Sequence, residues 1–475
     1  MMRALVAAAV SVALLAPGAS AAERDYEGYA FVYFTGEGFA DGEQVYFALS
    51  RGDDPLHWDE LVGEQPVITS TLGERGVRDP FIIRSPDGSR FYLIATDLKI
   101  FGNGDWDRAQ RFGSRSIMVW ESTDLVNWSE QRSVEVSPAS AGNTWAPEAF
   151  WDADSRRYVV FWASAIYGNP EHSGRSYQRI LFSTTRDFRS FTPARPYLDP
   201  GYAVIDTTMI EHAGRVYRFT KDERNNTPAT PNGKFVFQDA GDSVFDPAFD
   251  LVSEGIGKGV IARGEGPTVF KENGDDRWYL FIDEFGGRGY VPFVSTDLDS
   301  GRWTPAQDYE LPSRPRHGTV LPVTRLEHRR LAATAPRVCT RTLSGRVERS
   351  LNVRSGVTCL DHVRVRGSVT VMHGASLVVD GGRIAGRLRS DGAGVVSVSR
   401  ARLRGGVTLE GTEQWLRIAD SRVRGRARVS RSVGPVAPDL SGTKIRGALS
   451  CERNEVPPVL DGTTVSGRRS GQCAD

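Results

Sequence analysis

Between residues 75 and 310, short runs of alternating apolar and polar residues recur in groups of four, each group opening on a small motif that contains a carboxylate. The clearest group reads "RDPFIIRSPDGSRFYLIATD" and then "SRSIMVWESTDLVNWSE". Asp87-Gly88 supplies a hairpin turn, and the alternation marks half-buried strands. Further groups open at "WAPEAFW", "VIDTTMI" and "GEGPTVF". Four copies of a four-stranded unit, at a period of roughly 60 residues, predict the blades of a β-propeller.

Two fragments are left over. "RHGTVLPVT" reads as an inner strand without partners, while "YAFVYFT", "EQVYFALS" and "LHWDEL" read as a blade without its inner strand. Joined, they make a fifth blade and leave no open edge. A β-sandwich would also give many short strands, but it does not account for two fragments that complement each other. The expectation is an all-β chain whose residues 26–330 form a five-bladed β-propeller.

Beyond residue 336 the text changes. Tyr and Phe vanish, Trp415 is the one remaining aromatic, and glycine recurs at Gly345, Gly367, Gly386, Gly405, Gly425, Gly447 and Gly467, spaced 19 to 22 residues apart. That period, with strand-like alternation around it, predicts a small parallel β-helix over 337–475, one glycine-marked turn per rung. All four cysteines lie here. Their grouping suggests Cys339 with Cys359 and Cys451 with Cys473, although three pairings are open.

Composition adds two points. The first residues, "MMRALVAAAVSVALLAPGASAAERD", carry Arg3 ahead of an apolar run and end on a small-x-small site. Residues 1–21 therefore read as a secretory signal peptide, too short for a membrane span, and the expectation is an exported protein. The formal net charge of zero hides an asymmetry: from Arg337 onward there are 24 Lys+Arg against 12 Asp+Glu, and before it 35 against 47. The acidic first part makes nucleic acid a poor partner. The basic second part suggests affinity for an anionic polymer, the alternative being a solvated face of the rungs.

A propeller's inner strands converge on its channel, and here they open on Asp79, Glu148, Asp206, Glu265 and His317. Taken singly each acid reads as a turn or cap residue. An acid at the same phase of four blades is not expected by chance, and a ring of like charges is costly. Converging carboxylates without a thiol or metal motif suit glycoside hydrolysis, where one acid protonates the leaving oxygen and another carboxylate activates water or attacks the sugar.

At this level the motifs "RDP", "VID", "EGP" and "RHGTV" resemble glycoside hydrolase family 43, the five-bladed propeller glycosidases acting on arabinose- or xylose-containing polysaccharides. The resemblance covers about residues 26–330. It implies Asp79 as general base, Asp206 as the residue that orients and tunes the acid, and Glu265 as general acid, with inversion at the anomeric centre. It also implies that Trp145, Glu148 and His317 contact substrate, that no cofactor is required, and that a structural cation or water has a place near His317. Two positions depart from the family pattern: Glu148 stands where Asp is usual, and Thr207 where Pro is. Asp206 beside Glu265 is expected to raise the pKa of Glu265 and keep it protonated. The long segments "KIFGNGDWDRAQRFGS" and "SAIYGNPEHSGRSYQ" are expected to close the cleft. An exo-acting α-L-arabinofuranosidase or β-xylosidase is thus the leading expectation. The alternatives are an endo-arabinanase or galactan-active enzyme on the same fold, and a non-catalytic sugar-binding propeller.

Overall fold

The computed structural model describes residues 26–61, 65–169, 171–334, 339–433 and 437–474. The segment read as a signal peptide lies outside them. The described residues form two all-β units, a five-bladed propeller and a parallel β-solenoid.

Four blades run in sequence order from the inside out, beginning with strands Val77–Arg84, Trp145–Asp152, Val204–His212 and Glu265–Lys271. The fifth is composite: strand Arg316–Thr324 pairs antiparallel with Tyr26–Phe34, and Tyr46–Arg51 and Asp54–Glu60 follow outward. The inner strands of neighbouring blades pack on one another right round the ring. Aromatic side chains fill the joint between the composite blade and the blade before it, where Phe31, Phe270 and Phe281 meet edge to face at 5.2 to 6.1 Å. Large rings of this kind bury the most apolar surface per residue. Helix Arg325–Thr334 then braces the closing strand, with Leu331 buried in the same core as Val323 and His328 Nε2 2.8 Å from the Ser50 carbonyl oxygen.

The solenoid is wound from two parallel sheets around a core of small aliphatic residues such as Val369, Leu388, Val407 and Leu449. Its glycine period has a steric cause. A Cβ on Gly405 would stand 2.2 Å from the Gly386 carbonyl oxygen, and one on Gly447 would stand 2.5 Å from that of Gly425. The glycines stack on one another at the same corner of successive turns, where no side chain fits. Disulfides join Cys339 to Cys359 and Cys451 to Cys473.

Candidate active site

Each inner strand loses its pairing register at the motif read from the sequence: between Arg78 and Phe81, Trp145 and Glu148, Ile205 and Thr207, and Glu265 and Thr268. The composite blade breaks at the equivalent place, opposite Arg316 and Thr319. One residue in each of the four sequential blades takes a left-handed φ: Asp79 at 50°, Ala146 at 48°, Asp206 at 54° and Gly266 at 53°. Such a bulge re-aims side chains, and non-glycine residues hold this conformation only where their surroundings enforce it. Gly266 takes it freely, and the position admits no side chain, because a Cβ there would lie 2.6 Å from His317. "GEGP" is therefore the place where the histidine of the composite blade enters the channel.

The bulges also correct the expectation of a common phase. Asp79 and Asp206 occupy the left-handed position itself, Glu265 precedes it by one residue and Glu148 follows it by two. Asp79, Asp206, Glu265, His317 and Trp145 line one cavity of about 500 Å³. Glu148 does not. It is 3% exposed and lies beyond the bulge, with Oε1 3.8 Å from His317 Nε2, so its expected contact with substrate gives way to support of the histidine.

Around Asp79 the contacts form a chain. The Ala146 N–H donates to Thr96 Oγ1 at 2.7 Å, which leaves the Thr96 hydroxyl proton to donate to Asp79 Oδ2 at 2.8 Å. His317 Nδ1 lies 3.4 Å from Asp79 Oδ1 and 3.9 Å from Asp206 Oδ1. Burial opposes charge on Asp79, but His317, Arg78 and the Thr96 hydroxyl outweigh it and hold the carboxyl below the usual aspartate range. Burial likewise opposes charge on His317, yet Asp79, Glu148 and Asp206 lift it well above the usual imidazole value. His317 is thus held toward its charged form by the carboxyl groups of Asp79, Glu148 and Asp206.

That charge state bears on the cation expected beside it. An imidazolium offers no lone pair, and among the described residues no cluster of three or more His, Cys, Asp or Glu is spaced to hold a metal ion.

The acid pair departs from expectation too. Asp206 accepts a hydrogen bond at 3.0 Å from the Gly266 N–H, next to Glu265. Glu265, however, faces two cations: Lys221 Nζ stands 2.7 Å from Oε2 and Arg316 3.2 Å from Oε1. Burial pushes Glu265 up, and Lys221 and Arg316 more than reverse it, leaving Glu265 below the usual glutamate range. It is Asp206 that burial and the Glu265 charge raise, to about 7. Of the two, Asp206 is therefore the member whose surroundings favour the protonated form near neutral pH.

Several functional neighbours went unread in the sequence. Lys221 is 1% exposed and shared between Glu265 and Glu223, and Arg316 is shared between Glu265 and Asp283. Arg78 bonds Glu37 and Glu43 at 3.0 Å and lies over the Phe34 and Trp106 rings. Trp106 and Gln110 come from helix Trp106–Arg111 inside the first long segment and wall the cavity, with Trp106 edge-on to Trp145 at 6.3 Å. The second long segment braces the first: His172 Nδ1 lies 2.7 Å from the Arg111 carbonyl oxygen, and the ring stacks between Phe112 and Tyr167.

A propeller whose channel mouth gathers an ionised carboxylate and a proton-sharing acid pair in a sugar-sized cavity has the working parts of a glycoside hydrolase. The chain belongs to the glycosyl hydrolase family 43-related family, whose model, described as "Probable glycosyl hydrolase domain", matches residues 24–329. It is 32% identical over 307 residues to an α-L-arabinofuranosidase of Bifidobacterium longum, covering 58% of this chain and 28% of that relative's length. Among solved structures it is similar to the catalytic domain of a Coprinopsis cinerea GH62 α-L-arabinofuranosidase (16% identity, 55% and 76% of the two chains, TM-score 0.37). It is also similar to an exo-β-1,3-galactanase of Phanerochaete chrysosporium (17%, 51% and 52%, TM-score 0.35). The propeller is a glycosidase domain of the family 43-related type. No helix among the described residues is long and apolar enough to cross a membrane.

Proposed function

We propose that the enzyme is an exported, exo-acting α-L-arabinofuranosidase that inverts the anomeric configuration. The observation that carries this reading is the division of charge in the cavity. Asp79 is held ionised by His317, as a water-activating base must be, while Asp206 and Glu265 share one proton, as an acid must. Glu265 is the member that donates to the leaving oxygen. Its proton comes from Asp206 once a sugar hydroxyl takes over part of the hydrogen bonding of Lys221. The helix that brings Trp106 over the cavity favours terminal sugars over internal ones. The similarity to an arabinofuranosidase over the propeller supports the choice of sugar, whereas the β-xylosidase alternative lacks such support. Export is supported by the leader-like residues 1–21 and by two disulfides, which form and persist in oxidising compartments.

The test is hydrolysis of aryl α-L-arabinofuranoside, with aryl β-xyloside and β-galactoside as comparisons, followed by NMR of the first-formed anomer. The arabinofuranoside should be cleaved fastest, with inversion. Faster cleavage of either comparison would overturn the sugar, and a retained anomer would overturn the role of Asp79 as base.

The pH profile follows from the same charges. Activity requires the pair protonated, so kcat/KM should fall as pH rises past about 7, the value to which Asp206 is raised. On the acid side it should persist below the usual aspartate range, because Asp79 is held down. Lys221→Met removes a cation that favours the deprotonated pair, and should move the alkaline limb upward by about one unit or more. An unmoved limb would exclude the assignment of that limb to the pair.

A further inference from the structure

In the solenoid, parallel in-register pairing places equivalent residues of successive rungs about 4.8 Å apart. One such column reads Arg346, Arg364, Arg383, Arg402, Arg422 and Lys444, six cations paired rung to rung without interruption. Two residues further along each rung, Arg366, Arg404, Arg424 and Arg446 form a second column, broken by Ala385. The residues between the columns, such as Ile384, Leu403 and Val423, are buried. Period-two alternation therefore sets both columns on the same outer face.

Like charges in register oppose folding, and the rung does not require them. The last rung places Thr464 and Ser466 at these two positions. Elsewhere on the solenoid four arginines are matched with acids: Arg400 with Asp380, Arg417 with Asp439, Arg428 with Glu452 and Arg431 with Glu410. In the two columns only Arg346 and Arg366, at the Glu348 end, have a carboxylate within ion-pair distance among the described residues. Partial burial, and the charges of Arg404, Arg364, Arg424 and Arg402, push Arg383 below the usual arginine value. From Arg402 to Arg446 the columns line a trough of about 380 Å³, and a second hollow of about 800 Å³ continues it past Arg364 and Arg383.

We infer that this face is a binding trough for a linear polyuronate, whose successive carboxylates lie against the two arginine columns. A straight, evenly spaced ladder of cations suits a linear polymer better than a compact anion. The guanidinium fork matches carboxylate geometry. The columns contain no Phe, Tyr or Trp on which nucleic-acid bases would stack, and their one apolar member, Ala385, is too small to anchor in a bilayer. The choice of a sugar polymer rests on the chain's being a polysaccharide-active enzyme. The trough would hold that enzyme on acidic wall material while the propeller works on neighbouring side chains.

The experiment compares two triple variants of the full chain that remove the same number of charges. Arg402→Gln/Arg422→Gln/Arg424→Gln empties the trough, and Arg417→Gln/Arg428→Gln/Arg431→Gln removes paired arginines elsewhere. Binding to immobilised polygalacturonate is measured at low and raised salt, with fully methyl-esterified polymer, duplex DNA and phosphatidylglycerol vesicles as competitors. The trough variant should bind at least about tenfold more weakly and the control variant within about twofold of the parent. Parent binding should weaken with salt, as exposed charge interactions do. Equal loss in both variants, undiminished binding to the esterified polymer, or stronger competition by DNA or vesicles would each overturn the proposal. Aryl-glycoside hydrolysis by the trough variant should equal that of the parent. Binding through the trough by a chain that hydrolyses no glycoside would overturn the functional reading and leave the trough standing, and the reverse result would separate the two in the other direction.

Discussion

Replacing Glu265 by Gln is expected to lower turnover of a natural oligosaccharide by at least about 10²-fold, the low end of what a positioned general acid contributes. Gln keeps the shape but carries no proton to the leaving oxygen. An aryl glycoside with a good leaving group needs little protonation, so it should recover much of the loss. Asp79→Asn should lose a comparable factor on both kinds of substrate, since a better leaving group does not activate water. The contrast separates the two roles in one set of rate measurements. Near-normal turnover of an oligosaccharide by Glu265→Gln would sink the assignment. A thermal melt of each variant belongs beside the rates, because Glu265 also serves Lys221 and Arg316 as an ion partner.

His317→Leu should have the largest effect on stability, about 3 to 5 kcal/mol, the range found when one member of a buried charge cluster is removed. His317 is 5% exposed, and without it Asp79, Glu148 and Asp206 face one another with no cation between them. A structural role alone would show in the denaturation midpoint. The electrostatic role has a second signature: without the imidazolium the pKa of Asp79 rises, so the acid limb of kcat/KM moves to higher pH. An unchanged midpoint together with an unmoved limb would refute both.

The architecture was legible because its signals are local or periodic. Alternation and turn residues gave the blades, the complementary end fragments gave the closure, and the stacked glycines gave the solenoid. The acids were found from short motifs at strand starts, but their relative positions were not, because alternation cannot register a bulge. A residue gained at such a bulge turns everything after it to the other face, and Glu148, two residues past the bulge at Ala146, sits behind His317. Lys221 and Arg316 were missed for a different reason. Lys221 is the next-to-last residue of the strand Arg215–Asp222, a place where a lysine reads as solvent-exposed, and only the fold brings Glu265 to it. The ionisation of Glu265 depends on those two cations, so a pairing of Asp206 with Glu265 read from motifs alone misplaced the proton.

The composite blade ties the two ends of the propeller in time as well as in space. A ribosome that has released the first 300 residues has produced every outer strand of that blade and none of its inner one. Until Arg316–Thr324 emerges, Tyr26–Phe34 has an unpaired edge, and the pairing of Tyr26 with Thr324 must close a loop of nearly the whole domain. The ring is therefore completed in one late step, after synthesis of the propeller is essentially finished.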